Sequence, residues 1–198
     1  MNVLKEYLEN YSIITNKEAE NLGYSRHVLS DLNNRDVLER LRPGVYQVKG
    51  EIVDDFLMIS SNSKRIAFSN QTALYLHDLS DRTPNIFHIS VPQGYNASHI
   101  KKRYENLQIH YVKKDLFEIG LIQVETPMGN LVPAYDRERT ICDIIIDREK
   151  IDKQIFTDGI RRYFKSSNKN LRKLIKYSRL FKIEEEVKKY IEVLSWLT

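Results

Sequence analysis

The stretch Ile14-Thr15-Asn16-Lys17-Glu18-Ala19-Glu20-Asn21-Leu22-Gly23-Tyr24-Ser25-Arg26-His27 decides how the N-terminal part of the chain is read. Thr15 and Glu18 have the spacing of a capping box. The threonine hydroxyl accepts from the amide three residues on, and the glutamate reaches back to the threonine amide. Such a cap contributes about 1 kcal/mol, enough to set where a short helix starts. That helix buries Ala19 and Leu22 and ends at Gly23, the residue that tolerates a left-handed helix end. Ser25 then starts a new helix from Arg26 to about Asn33, with Val28, Leu29 and Leu32 facing inward. Two short helices across a glycine turn are the local signature of a helix-turn-helix.

Working outward, Val3, Leu4, Tyr7, Leu8 and Tyr11 recur at helical spacing and predict a first helix. Ser12-Ile13-Ile14 forms a short extended stretch behind it. Beyond the second motif helix, Val37 to Arg42 and Val45 to Val48 read as strands around Pro43-Gly44, a pair suited to a type II turn. Three helices followed by a hairpin make a winged helix-turn-helix over residues 1–50, a boundary that extends on a looser reading to about 80. The outer face of the second motif helix offers Ser25, Arg26, His27, Ser30 and Asn33, with Tyr24 just ahead. Hydrogen-bonding side chains there are the ones that reach base edges in a major groove. Lys17 and the hairpin residues Arg40, Arg42 and Lys49 are candidates for phosphate contacts. The same tri-helical shape also serves as a protein-binding module whose arginines are simply solvated.

Residues 51–198 read as a larger mixed domain, so the chain as a whole is expected to be α+β. Helical pieces are expected over 51–80, one holding Ile52, Phe56, Leu57 and Ile59, the other Ala73, Leu74 and Leu76 behind a Ser69 or Asn70 cap. Ile86 to Val91 and Leu107 to Val112 read as strands, and 121–125 with 130–133 as a hairpin around Thr126-Pro127-Met128-Gly129. From Arg137 the pattern is helical near 137–147, 151–164, 168–179 and 183–195. A small sheet therefore precedes a helical C-terminal part.

Charge is unevenly spread. The chain carries a net +4, but residues 1–50 are neutral, 51–147 hold a net of −3 and 148–198 a net of +7. No acid stands between Asp158 and Glu184, while Arg161, Arg162, Lys165, Lys169, Arg172, Lys173, Lys176, Arg179 and Lys182 do. Nine cations without local compensation repel one another unless an anion is near. They are candidates for contact with DNA backbone, RNA or an acidic protein surface.

Catalytic chemistry is not evident. There is no phosphate-cradling glycine loop and no His-Glu-x-x-His pair, and His27, His77, His88, His99 and His110 lack ligand spacing. Cys142, the single cysteine, sits between Ile141 and Asp143 at a core position of a helix, and alone it forms neither a disulfide nor a cysteine zinc cluster. We expect no enzyme, cofactor or metal. Without a signal peptide or an apolar run long enough for a membrane span, the chain is expected to be cytoplasmic.

Together these features resemble the AbiEi antitoxins of type IV toxin–antitoxin, or abortive infection, systems. The resemblance rests on Ile14-Thr15-Asn16-Lys17-Glu18-Ala19 with Gly23-Tyr24-Ser25-Arg26, and on Leu41-Arg42-Pro43-Gly44-Val45-Tyr46. It rests also on Glu138-Arg139-Thr140-Ile141-Cys142-Asp143, similar to a Glu-Arg-Thr-x-x-Asp element of that family's second domain. It implies a repressor that binds inverted repeats of double-stranded DNA in its own promoter. It further implies that residues 51–198 counteract a nucleotidyltransferase-like toxin, without a stable complex being required. Glu138, Arg139, Thr140 and Asp143 would be that domain's motif. A bland account of the motif competes, because Arg139 and Asp143 stand at ion-pair spacing on one helix. Two other readings stay open: a single-purpose winged-helix transcription factor with a ligand-sensing or dimerisation domain, and an RNA-modifying accessory that holds RNA with the basic tail.

Overall fold

Leu4, Ile14, Ala19, Leu29, Leu38 and Tyr46 close on one another to form the core of the N-terminal unit in a computed structural model that describes residues 2–11 and 13–194. The chain divides after Asp54 into two compact units, 1–54 and 55–198. The first contains α1 (Asn2–Asn10), β1 (Ile13–Thr15), α2 (Asn16–Asn21), α3 (Arg26–Asn34), β2 (Leu38–Arg42) and β3 (Val45–Val48). Ser12, expected in the extended stretch, lies outside the described residues. The stripe on α1 is narrower than its spacing suggests: Leu4 is buried, while Val3 and Tyr11 are exposed.

The capping box is present in full. Glu18 N–H donates to Thr15 Oγ1 at 3.2 Å, and Thr15 N–H donates to Glu18 Oε2 at 2.7 Å. Ser25 occupies the N-cap of α3 by its extended backbone, but its side chain makes no capping bond, which corrects the expected role. The strands form an antiparallel sheet in the order β1-β3-β2. The β2–β3 register slips between Arg40 and Arg42, so Leu41 is an extra residue beside the turn. Gly44 takes φ +77°, as the third position of a type II turn requires. Its carbonyl accepts from Asn16 N–H at 2.9 Å, which ties the hairpin tip to the start of α2.

The second unit begins with α4 (Asp55–Ser60), β4 (Ala67–Phe68), α5 (Asn70–Leu76), β5 (Phe87–Pro92) and α6 (Ser98–Lys101). It continues with β6 (Leu107–Val112), α7 (Lys114–Phe117), β7 (Leu121–Glu125) and β8 (Leu131–Tyr135). Helices α8 (Arg137–Ile146), α9 (Lys153–Lys165), α10 (Leu171–Leu180) and α11 (Glu184–Leu194) complete it. The five strands order as β6-β5-β4-β8-β7. β4 runs antiparallel to β5 and parallel to β8, β5 and β6 are parallel, and β7–β8 is antiparallel.

Three details of this unit differ from, or add to, the sequence pattern. Ile52 precedes α4 and is 77% exposed, so the first helical piece starts at Asp55. The two-residue strand β4 was not foreseen, because Ala67-Phe68 is too short to show a period; it exists because β5 and β8 hydrogen-bond it from both sides. Ser69 stands at the N-cap of α5 without a side-chain bond, and Asn70 is that helix's first residue.

One core of the unit packs Phe56, Phe68, Phe87, Ile89, Val91 and Ile100 against a face of the sheet. A second joins α8 to the later helices through Ile141, Ile144, Ile160, Tyr163, Leu174 and Val187. Cys142 is fully buried in that second core, and burial pushes its thiol up, which disfavours the thiolate.

Candidate nucleic-acid interface

Leu29 is fully buried on α3, with Val28 and Leu32 packed beside it, and this fixes which way the helix turns its other side. Ser25, Arg26, His27 and Ser30 are exposed, while Tyr24 and Asn33 are half-buried at the edge of that face. Asp31 also reaches solvent, but it pairs with Arg35 at 2.9 Å. Lys17 and Arg40 are exposed, and Arg42 is half-buried in the hairpin. Lys49 pairs with Asp36, so part of its charge is already met within the unit. The arrangement is a helix with hydrogen-bonding groups along its exposed N-terminal half, on a unit whose hairpin carries arginine. Chemically this suits base edges on the helix and phosphates near the hairpin.

The basic run of α9 and α10 is less uncompensated than its sequence suggests. Arg162 forms a two-pronged pair with Asp81, one bond being 2.7 Å. Lys173 lies 2.9 Å from Asp136 and 3.7 Å from Glu138, and Arg179 lies 3.1 Å from Glu184. Each of these three has an acidic partner within the protein, Arg162 and Arg179 at the surface, which corrects the expectation of nine uncompensated charges. Arg161, Lys165, Arg172, Lys176 and Lys182 are exposed, and Lys169 is half-buried with its ammonium 3.4 Å from the Ser166 carbonyl.

The Glu138–Asp143 element lies inside the second unit. Arg139 is 2% exposed, and its guanidinium sits 4.2 Å from the Tyr135 ring centroid and 4.0 Å from that of Phe181. It donates to Asp143 Oδ1 at 2.8 Å and to the carbonyls of Leu116 at 2.8 Å and Ile119 at 3.2 Å. Glu138 Oε1 accepts from the Tyr163 hydroxyl at 3.2 Å and from Asn170 N–H at 3.0 Å. Thr140 donates to the Asp136 carbonyl at 2.8 Å. Asp136 caps α8 by accepting from Arg139 N–H at 2.8 Å and also accepts from the Tyr177 hydroxyl at 3.0 Å. The motif therefore ties α8 to α9, α10 and the loop before β7. Gly120 serves the same junction: at φ +78°, a Cβ there would fall 2.7 Å from Arg139 Cβ.

One constellation escaped the sequence reading. His88 on β5 and His110 on β6 stack, with His88 Nδ1 3.0 Å from His110 Nε2. Asp147 Oδ2 lies 3.7 Å from His110 Nδ1. The signal was available only as strand alternation, because two histidines 22 residues apart meet through the parallel β5–β6 register, in which Ser90 opposes His110. Burial lowers both imidazoles, His88 to about 4, so both are neutral at pH 7. Among the described residues no group of three or more His, Cys, Asp or Glu is placed to hold a metal ion. Also among them, no helix is long and apolar enough to cross a membrane.

No curated protein sequence matches the chain. Among solved structures, the RV2827C protein from Mycobacterium tuberculosis is similar in fold, with a TM-score of 0.56 at 13% sequence identity. The similarity covers 84% of this chain and 66% of that one, so this chain spans just under two thirds of the other's length. Residues 2–49, which hold α1 to β3, match the model of the family described as transcriptional regulator, AbiEi antitoxin.

Proposed function

We infer that the chain is a DNA-binding transcriptional autorepressor and the antitoxin of a type IV toxin–antitoxin system. Residues 1–50 act as the winged helix-turn-helix and residues 51–198 as the antitoxin, or partner-binding, domain. The observation that carries this reading is the exposed polar face of α3 within the segment matching a family of antitoxin regulators. On it, Arg26, His27 and Ser30 enter the major groove of inverted repeats in the protein's own promoter. Lys17, Arg40 and Arg42 hold phosphates on either side. The second domain counteracts a nucleotidyltransferase-like toxin without needing a stable complex, and the reading assigns it no catalysis.

The test is a gel-shift titration of the protein on its upstream promoter against scrambled DNA at about 150 mM salt, where non-specific binding is weak. Preference for the promoter is expected, and Arg26→Ala should weaken it by about 1–3 kcal/mol if Arg26 reads a base edge. Equal binding to both DNAs would refute the regulator half. In cells, the full chain should rescue growth when the adjacent toxin gene is induced, and failure to do so would refute the antitoxin half.

A further inference from the structure

Strand alternation puts Phe87, Ile89 and Val91 into the core on one face of the sheet. It therefore turns His88 and Ser90 of β5 to the opposite face, with Gln108 and His110 of the parallel neighbour β6 beside them. An inner sheet face beneath a helix is ordinarily apolar. Here it carries four polar side chains, and Asp143 of α8 and Asp147 at that helix's C-cap line the same cavity of about 640 Å³. That volume falls in the range of small-molecule sites.

Two side chains that line this cavity each hold an enclosed oxygen without a hydrogen-bond partner in the protein. Asn70 is 3% exposed and lines the cavity, and its Oδ1 is buried without a hydrogen bond. Its backbone is held at φ +49°, a conformation kept outside glycine only where the surroundings enforce it. Asp143 gives Oδ1 to Arg139, but its buried Oδ2 has no donor. Desolvation raises the Asp143 carboxyl to about 6, the response of a carboxylate short of a donor. The neutral histidine pair adds a third acceptor. Asp147 favours the proton on His110 Nδ1, so His110 Nε2 accepts from His88 Nδ1–H and His88 Nε2 keeps a free lone pair.

The complementary ligand thus brings several N–H donors. It is also uncharged, because the buried cation of the lining, Arg139, is committed to Asp143 and two carbonyls, and the exposed Lys150 at the rim pairs with Asp147 at 2.8 Å. A phosphate would have to compete with Asp147 for Lys150. Gln108 answers ligand acceptors, and Ile146 and Phe181 supply apolar wall for a ring.

We propose that the cavity between the β5–β6 face and α8 binds a neutral nucleobase or nucleoside. Its N–H groups donate to Asp143 Oδ2 and Asn70 Oδ1 after a small rotation turns these enclosed oxygens to the cavity, and its ring lies against Ile146 and Phe181. This site belongs to the second unit alone and stands whether or not the first unit binds DNA.

The test is calorimetric titration of the full chain with adenosine, guanosine, cytidine and uridine, and with the corresponding monophosphates. At least one nucleoside should bind with a Kd below about 1 mM. Ile146→Trp enlarges a half-exposed wall residue and should weaken binding at least about tenfold while leaving the melting curve intact. Asp143→Asn keeps an acceptor for Arg139 but replaces Oδ2 by a donor, and should have a similar effect. If that variant fails to fold, Ile146→Trp decides alone. No binding of any nucleoside up to about 10 mM would overturn the proposal. So would unchanged affinity in Ile146→Trp, or tighter binding of the monophosphate than of its nucleoside.

Discussion

Replacing Arg139 by methionine keeps an unbranched stem between the Tyr135 and Phe181 rings and removes the charge from a site only 2% exposed. Three bonds go at once: the ion pair to Asp143 and the bonds to the Leu116 and Ile119 carbonyls. Breaking a buried ion pair from one side costs about 3–5 kcal/mol, because the remaining charge stays buried without compensation. An orphaned carbonyl adds up to about 1–3 kcal/mol, but neighbouring losses do not sum, and the methionine keeps the ring contacts. We expect a net loss of about 4 kcal/mol, a large fraction of the 5–15 kcal/mol typical of a folded domain. With a urea m-value of about 2 kcal/mol/M, the midpoint should fall by about 2 M.

The loss should also depend on pH. The Asp143 carboxyl is already raised to about 6, so what it contributes is fully present below the usual carboxylate range and is lost as pH rises through about 6. Arg139 opposes that rise, so removing it moves the carboxyl higher still. The variant should therefore be less impaired at pH 5 than at pH 8. Urea titrations at both pH values, with hydrogen exchange of α8 amides to assign the transition to the second unit, measure this. Adding Asp143→Leu should recover most of the stability, since no buried charge is then left unpaired. A loss below about 1 kcal/mol that is indifferent to pH would refute the argument that this pair holds the unit together.

Gly120→Ala should destabilise the second unit by more than the roughly 1 kcal/mol of a positive-φ alanine, since its Cβ would meet Arg139 at 2.7 Å; thermal melts read the effect. Charge reversal at Arg172 and Lys176, both exposed, tests the basic helices without disturbing the internal role of Lys173. If both residues meet phosphates, affinity should fall for all sequences and the log–log salt slope should shrink by about 2; an unchanged slope would remove these helices from the DNA interface. His88→Gln should flatten acid sensitivity. The His88 imidazole lies near 4, below its unfolded value, so its stabilising contribution is present above about pH 6.5 and lost on acidification towards pH 4. Wild type should lose up to about 1.4 kcal/mol per pH unit more than the variant across that window, and parallel profiles would count against a buried neutral His88.

Local physics is legible in the sequence. The Thr15–Glu18 box, the glycine stop at Gly23 and the Pro43-Gly44 turn are decided by residues within a few positions of each other, and the helices and hairpin lie where those signals put them. The polar face of α3 followed in the same way, since burial of Leu29 fixes the helix's rotation. The long helices from Arg137 onward were readable from their period, to within three residues at their starts.

What the chain could not announce by itself is whatever depends on distant segments meeting. Strand β4 is two residues long and exists because β5 and β8 flank it. The basic run looked bare because its acids, Asp81, Asp136 and Glu138, come from far upstream. His88 and His110 looked scattered because only a parallel register brings them within 3.0 Å. The Glu138–Asp143 element could be read as a motif or as a plain ion pair, and tertiary packing made it the buried junction of α8, α9 and α10. Capping, period and turn chemistry act over one to four residues, so sequence alone determines them. Desolvation, counter-ion choice and cavity shape depend on the neighbours that folding supplies, so only the tertiary structure decides them.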